Sequence, residues 1–95
     1  MAQVYDKVES NLGSLNAVSD FIEVFGRFDL SISGTWVGTV TFQRSFDDGS
    51  TWHDVKSYTA NVEDVGEVGS KAVVRCQMTS YTSGTATIGI YFGGV

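Results

Sequence analysis

Between Asp20 and Ser33 the chain alternates. Ile22, Val24, Phe28, Leu30 and Ile32 fall on one parity, with Glu23, Arg27, Asp29 and Ser31 on the other. A period of two over this length predicts a strand with one buried face. Gly26 interrupts the row and marks a bulge or a bend. Phe21 and Phe25 point away from this core. They are expected either to meet a partner or to mark a strand that switches sheets. Gly34 is expected to turn the chain. The alternation resumes over Thr35 to Arg44, with Trp36, Val40 and Phe42 on one face and Thr35, Thr39, Thr41 and Gln43 on the other. Thr51 to Ala60 forms a less regular strand, with Trp52 and Tyr58 on one parity and Val55 on the other. Asn61 to Lys71 is acidic and glycine-bearing, and reads as a connection with a short strand at its start. Ala72, Val74, Cys76 and Met78 give the next buried row, and Val73, Arg75 and Gln77 face outward. Ser80 to Gly84 reads as a loop, Ala86, Ile88, Ile90 and Phe92 as the last inward row, and Gly93 to Val95 as a tail. These runs predict an all-β fold, a small β-sandwich or barrel of six to seven mainly antiparallel strands with an extended N-terminal arm.

The N-terminal segment follows another rhythm. Val4, Val8, Leu12, Leu15 and Val18 trace a weak helical stripe, interrupted by Asn11, Gly13, Ser14 and Asn16. Such a pattern suits an arm that orders on a neighbour better than an independent helix. The expected division is an arm over residues 1–19 and a β-sandwich domain over residues 20–95. Val4, Val8 and Leu12 on the arm, with Phe21 and Phe25, are the candidate partner-binding residues.

The sharpest local signal is Ser45-Phe46-Asp47-Asp48-Gly49-Ser50-Thr51-Trp52, between two β-type runs. Asp47 can accept hydrogen bonds from the amides of the turn that follows it. Gly49 supplies the positive φ of a tight reversal. Ser45 and Thr51 place hydroxyls at the base of the turn, and Trp52 can cover it with a large ring. The spacing Ser-x-Asp-x-Gly-x-Thr-Trp resembles the Asp-box hairpin of sialidases and other β-propeller glycan enzymes. That resemblance implies a structural hairpin made by Ser45, Asp47, Gly49, Thr51 and Trp52. It does not imply an active site, because in that family the hairpins lie away from the chemistry and a propeller carries several of them.

A chain of 95 residues is one domain and buries only ~60–65% of its unfolded surface, so association is a natural source of extra stability. One cysteine excludes an internal disulfide framework, and one histidine leaves no His/Cys cluster for a structural zinc. The net charge of −5 argues against nucleic acid, which selects for basic stripes. No apolar run approaches the ~18–20 residues that span a membrane, and Met1-Ala2-Gln3 reads as a cytosolic start without a signal peptide.

Candidate chemistry is sparse, and the expectation is a non-enzyme without metal or cofactor. His53 stands beside Asp54, but neighbours on a strand point to opposite faces and do not pair as base and orienter. Cys76 lies between Val74 and Met78 on the apolar parity, where a thiol is inert. Asp47 and Asp48 lack further oxygen ligands at calcium-loop spacing. Glu63, Asp64 and Glu67 read as a solvated acidic loop. The hydroxyl-rich run Thr79 to Thr87, with Tyr81 and with Trp36, could hold a sugar by stacking and hydrogen bonding, although Ser and Thr also simply suit strands.

Several stretches resemble small virion proteins of tailed bacteriophages: Gly34 to Arg44 leading into Ser45 to Trp52, then Tyr58-Thr59-Ala60-Asn61, and Ser83 to Ile88. The resemblance implies a non-enzymatic β-domain of the virion, made in the host cytoplasm and carried on the particle. Its favoured role is a capsid decoration or cement protein that binds the major capsid protein or another virion protein, trimeric by preference. The alternatives are a tail or head–tail component, or a carbohydrate-binding β-module.

Overall fold

The computed structural model describes residues 6–92. Four strands, β1 (Asp6–Leu12), β2 (Ile22–Ser45), β3 (His53–Tyr58) and β4 (Val62–Phe92), form one open antiparallel sheet in the order β1-β4-β2-β3. The described residues are all-β, with no helix among them.

The architecture comes from two long strands that meet twice. Along one ladder, Ile22 to Ile32 pair with Val74 back to Val62; along the other, Asp29 to Ser45 pair with Tyr91 back to Val73. Asp29, Leu30, Ser31 and Ile32 therefore have β4 on both sides, for Leu30 pairs with Asp64 and also with Ile90. Val73 and Val74 are flanked by both ends of β2 in the same way. The sheet is folded back on itself, and its concave side carries the core: Val24, Ile32, Val40, Val74, Cys76, Met78, Ile88 and Ile90 are fully buried. Phe28 and Phe42 stack there, with centroids 5.4 Å apart.

Four strands stand where six or seven were expected, because several turn signals lie inside strands. Gly34 has φ +100° yet does not reverse the chain, since Ser33 and Gly34 pair with Thr87 and Ala86 and the ladder runs on. Ser80 to Gly84 is strand as well, with register shifts between Val37 and Gly38 and between Thr39 and Val40 absorbing the irregularity. Asn61 to Lys71, expected as a connection, is strand from Val62 onward. Its backbone groups pair with the first half of β2, and its inward positions are Val62, Asp64, Gly66 and Val68. An acid and a glycine on that row hide the period of two.

The arm expectation also needs correction. Asp6 to Leu12 form β1 and pair with Phe92 back to Ala86. Val8 and Leu12 are buried in the common core, not offered to a partner. Residues 16–19 run beside β4, where Asn16 N–H donates to the Met78 carbonyl at 2.8 Å and Ser19 N–H to that of Cys76 at 2.9 Å. The spacing of Val8 and Leu12 is as compatible with two inward positions of a strand as with a helix face, and pairing with the last strand decides it. Val4, like the tail at 93–95, lies outside the described residues.

Candidate functional site

The acidic turn is built as its spacing implies. Ser45 is fully buried at the end of β2; its Oγ–H donates to Asp47 Oδ1 at 2.6 Å and the same oxygen accepts Gly49 N–H at 2.8 Å. Asp47 Oδ1 also accepts Thr51 N–H at 2.8 Å, and Ser50 N–H donates to the Asp47 carbonyl at 3.3 Å. Asp48 and Gly49 take φ of 59° and 94° to close the reversal. A Cβ on Gly49 would stand 3.4 Å from the Trp52 ring, so the indole lies against the turn as a lid. The hairpin is confirmed by the pairing of Val40 to Arg44 with Tyr58 back to His53.

Hydrogen bonding from Ser45, then from the Thr51 amide and hydroxyl, lowers the Asp47 carboxyl to about 2. A folded value below the ordinary ~3.9 means that the ionised group favours the folded turn above that value, and the benefit is lost as pH falls toward 2. A carboxyl-detected NMR titration should therefore give Asp47 a midpoint near 2, with the Thr51 amide losing its hydrogen-bonded shift in the same step. A midpoint near 4 would mean that the carboxylate does not hold the turn.

Around Trp52 an aromatic face is assembled from the residue that leads into β2, the residue that leads into β3, and β4. The Arg75 guanidinium lies 4.1 Å from the Trp52 ring centroid, and the Phe21 ring packs at 6.1 Å with a tilt of 50°. Phe21 and Phe25 are 56% and 64% exposed, while Ile22 and Val24 between them are buried. Phe25 in β2 and Phe21 just before it thus both face outward, as the sequence indicated. Across the same face runs a polar ladder. Gln43 Nε2 donates to Asp54 Oδ1 at 2.9 Å and to Gln77 Oε1 at 3.0 Å, and Arg75 Nε donates to Gln43 Oε1 at 2.8 Å. Thr41 shares hydrogen bonds with Ser57 at 3.1 Å and Thr79 at 2.8 Å. Thr41 and Gln43, expected outward, are buried inside this ladder. Paired in this way, such groups avoid the penalty of dry unsatisfied donors and fix the register of a face with little apolar glue. Arg75 is the member that sequence reading passed over, because its role depends on Trp52 reaching it across β2.

The remaining candidates are placed as follows. His53 is exposed, and Asp54 is engaged with Gln43, so the two do not act together. Cys76 is buried, and desolvation pushes its thiol up to about 12. Trp36 is half-buried against the core with its indole N–H donated to Asn61 Oδ1 at 2.8 Å, and Tyr81 donates to the Gly84 carbonyl at 3.0 Å. Both rings offered for sugar stacking are thereby held by the protein itself. Of the acidic run, Glu63 accepts the Ser31 hydroxyl at 2.6 Å, and Asp64 accepts the Tyr58 hydroxyl at 2.9 Å and the Lys56 ammonium at 3.3 Å. The Tyr58 bond, with the Val65 amide and Lys56, keeps the Asp64 carboxyl below its usual range. No group of three or more His, Cys, Asp or Glu side chains is arranged to hold a metal among the described residues, and no helix there is long and apolar enough to cross a membrane.

Comparison with protein-family models, with curated proteins and with solved structures found no match to this chain.

Proposed function

We propose that this chain is a non-enzymatic structural protein of a tailed-phage particle, a decoration protein that adheres to the major capsid protein and stabilises the shell. The observation that carries the reading is the aromatic face. Phe21 stands outward just before β2, beside Trp52 and its Arg75 neighbour, and Phe25 stands outward four residues on, both at a size and exposure that water disfavours. Aromatic and Arg side chains are the usual anchors of protein interfaces. The folded-back sheet is a thin body with a shortest dimension of 17 Å. Such a body is a stiff wedge for a seam between capsid subunits. Binding two subunits at once would add avidity without new kinds of contact, and a trimer would multiply it. With Val8 and Leu12 committed to the core, adhesion falls to this face and not to an arm.

The test is to add purified protein to undecorated tailed-phage heads and to measure bound copies and affinity. The expected result is saturation at tens to hundreds of copies per particle, with the Phe21→Ser/Phe25→Ser double variant binding about tenfold or more weakly, roughly 1.4 kcal/mol, at an unchanged melting temperature. Saturation at the low copy number of a tail axis would favour a tail component instead. Equal binding by the double variant would remove the aromatic face from the account.

A further inference from the structure

The sheet is open between β3 and the first part of β4, and the opening leads into a cleft of about 220 Å³. Its floor is apolar: the stacked rings of Phe28 and Phe42, with Leu30 and Val68. Gly66 makes this floor possible, because a Cβ there would run into the Phe28 ring. Val55 and Val65 stand exposed at the mouth. Charges line the rim in unequal states. Lys56 is paired with Asp64 at 3.3 Å, and Asp64 is held further by Tyr58. Glu67 adds an acid at the edge. Arg44 reaches the cleft from the inward parity of β2, and its guanidinium lies 5.0 Å from the Phe46 ring centroid. Its Nε is shut off from solvent and has no acceptor among the described residues.

We infer that this cleft is a binding site for a small apolar monocarboxylate, a flat ring or short alkyl chain bearing one acid group. The apolar portion would lie on Phe28 and Phe42 while the carboxylate meets Arg44. Three observations select that chemistry. A cavity of about 150 Å³ lined by apolar side chains already admits a benzene-sized molecule, so the space suffices for one ring with its acid. Guanidinium is a planar donor whose fork matches a carboxylate, and Arg44 takes part in no ion pair among the described residues. Lys56 is already paired with Asp64, which leaves Arg44 as one cation for one acid group, so a monoanion fits better than a dianion. The site lies away from the aromatic face and does not depend on the role proposed for it.

Benzoate and its neutral counterpart benzyl alcohol are the probes, titrated into 15N-labelled full-length protein and followed by amide shifts. Benzoate should produce saturable shifts at Phe28, Phe42, Val65 and Gly66, with a dissociation constant at least about tenfold below that of benzyl alcohol. In Arg44→Gln the ratio of the two constants should fall to near one with the alcohol's affinity retained. In Val65→Trp, at an exposed position that leaves the fold intact, both ligands should weaken together. Equal affinities in the unaltered protein, shifts that do not saturate, or shifts centred elsewhere would each overturn the assignment. So would an Arg44→Gln protein that folds, judged by its unchanged spectrum outside the cleft, and still prefers benzoate.

Discussion

Gly84→Ala should lower the melting temperature by roughly 12–24 °C, the shift expected for a loss of about 3 kcal/mol in a domain of this size. Gly84 pairs with Trp36 in the ladder between β2 and β4 and has φ +85°. A Cβ there meets the carbonyl oxygen of Thr35 and comes within 2.7 Å of the Trp36 Cα. Both obstacles are backbone, so no side chain can swing aside. A left-handed conformation forced on a residue with a Cβ costs about 1–3 kcal/mol, and overpacking adds about 1–3 more. Against a total stability of about 5–15 kcal/mol, the variant approaches the limit of folding. Gly69→Ala is the control, because nothing lies within 4 Å of a Cβ at that position. Thermal melts followed by circular dichroism compare the two. A Gly84→Ala protein melting within a few degrees of the unaltered chain would show that the strands separate easily at this point.

Leu12→Ala should cost about 2–5 kcal/mol, the range for emptying a buried leucine site. Leu12 is completely enclosed, and its strand is held to the last part of β4 by the Leu12–Ala86 and Val8–Ile90 pairs. Leu15, three residues on, is 56% exposed, and Leu15→Ala should stay within about 0.5 kcal/mol. Deletion of residues 2–18 should leave no cooperative unfolding transition, for it strips one edge of β4 and uncovers Ile88 and Ile90. Urea denaturation of the three proteins separates the possibilities. A truncated chain that melts like the full one would restore the idea of a detachable arm.

These variants also mark where the sequence was readable. Strict alternation gave the first half of β2 and the last part of β4, and the spacing from Ser45 to Trp52 gave a turn whose hydrogen bonds are now visible. The exposure of Phe21 and Phe25 followed from parity alone. Misreading began where one residue type served two purposes. Glycine at 34 and 84 reads as a turn in isolation, but a close approach between two strand backbones needs glycine just as much. Residues 62–68 carry Asp64 and Gly66 on the inward row because a phenyl ring and a tyrosine hydroxyl fill that space from other strands. No local pattern shows this. Val8 and Leu12 were misplaced for a similar reason: their partners, Ile90 and Ala86, lie at the opposite end of the chain. Arg75 on Trp52 and the cleft beneath Arg44 depend on which strands become neighbours, information that is absent from any single segment.

The double engagement of β2 has a consequence for the molecule's birth. Leu30 pairs with Asp64 and also with Ile90, which is synthesised long after it. While the polypeptide is still emerging, that side of β2 offers a row of unmatched amides and carbonyls beside greasy side chains, the kind of border on which chains clump. Slow synthesis or crowded refolding would therefore prolong the exposure of that border.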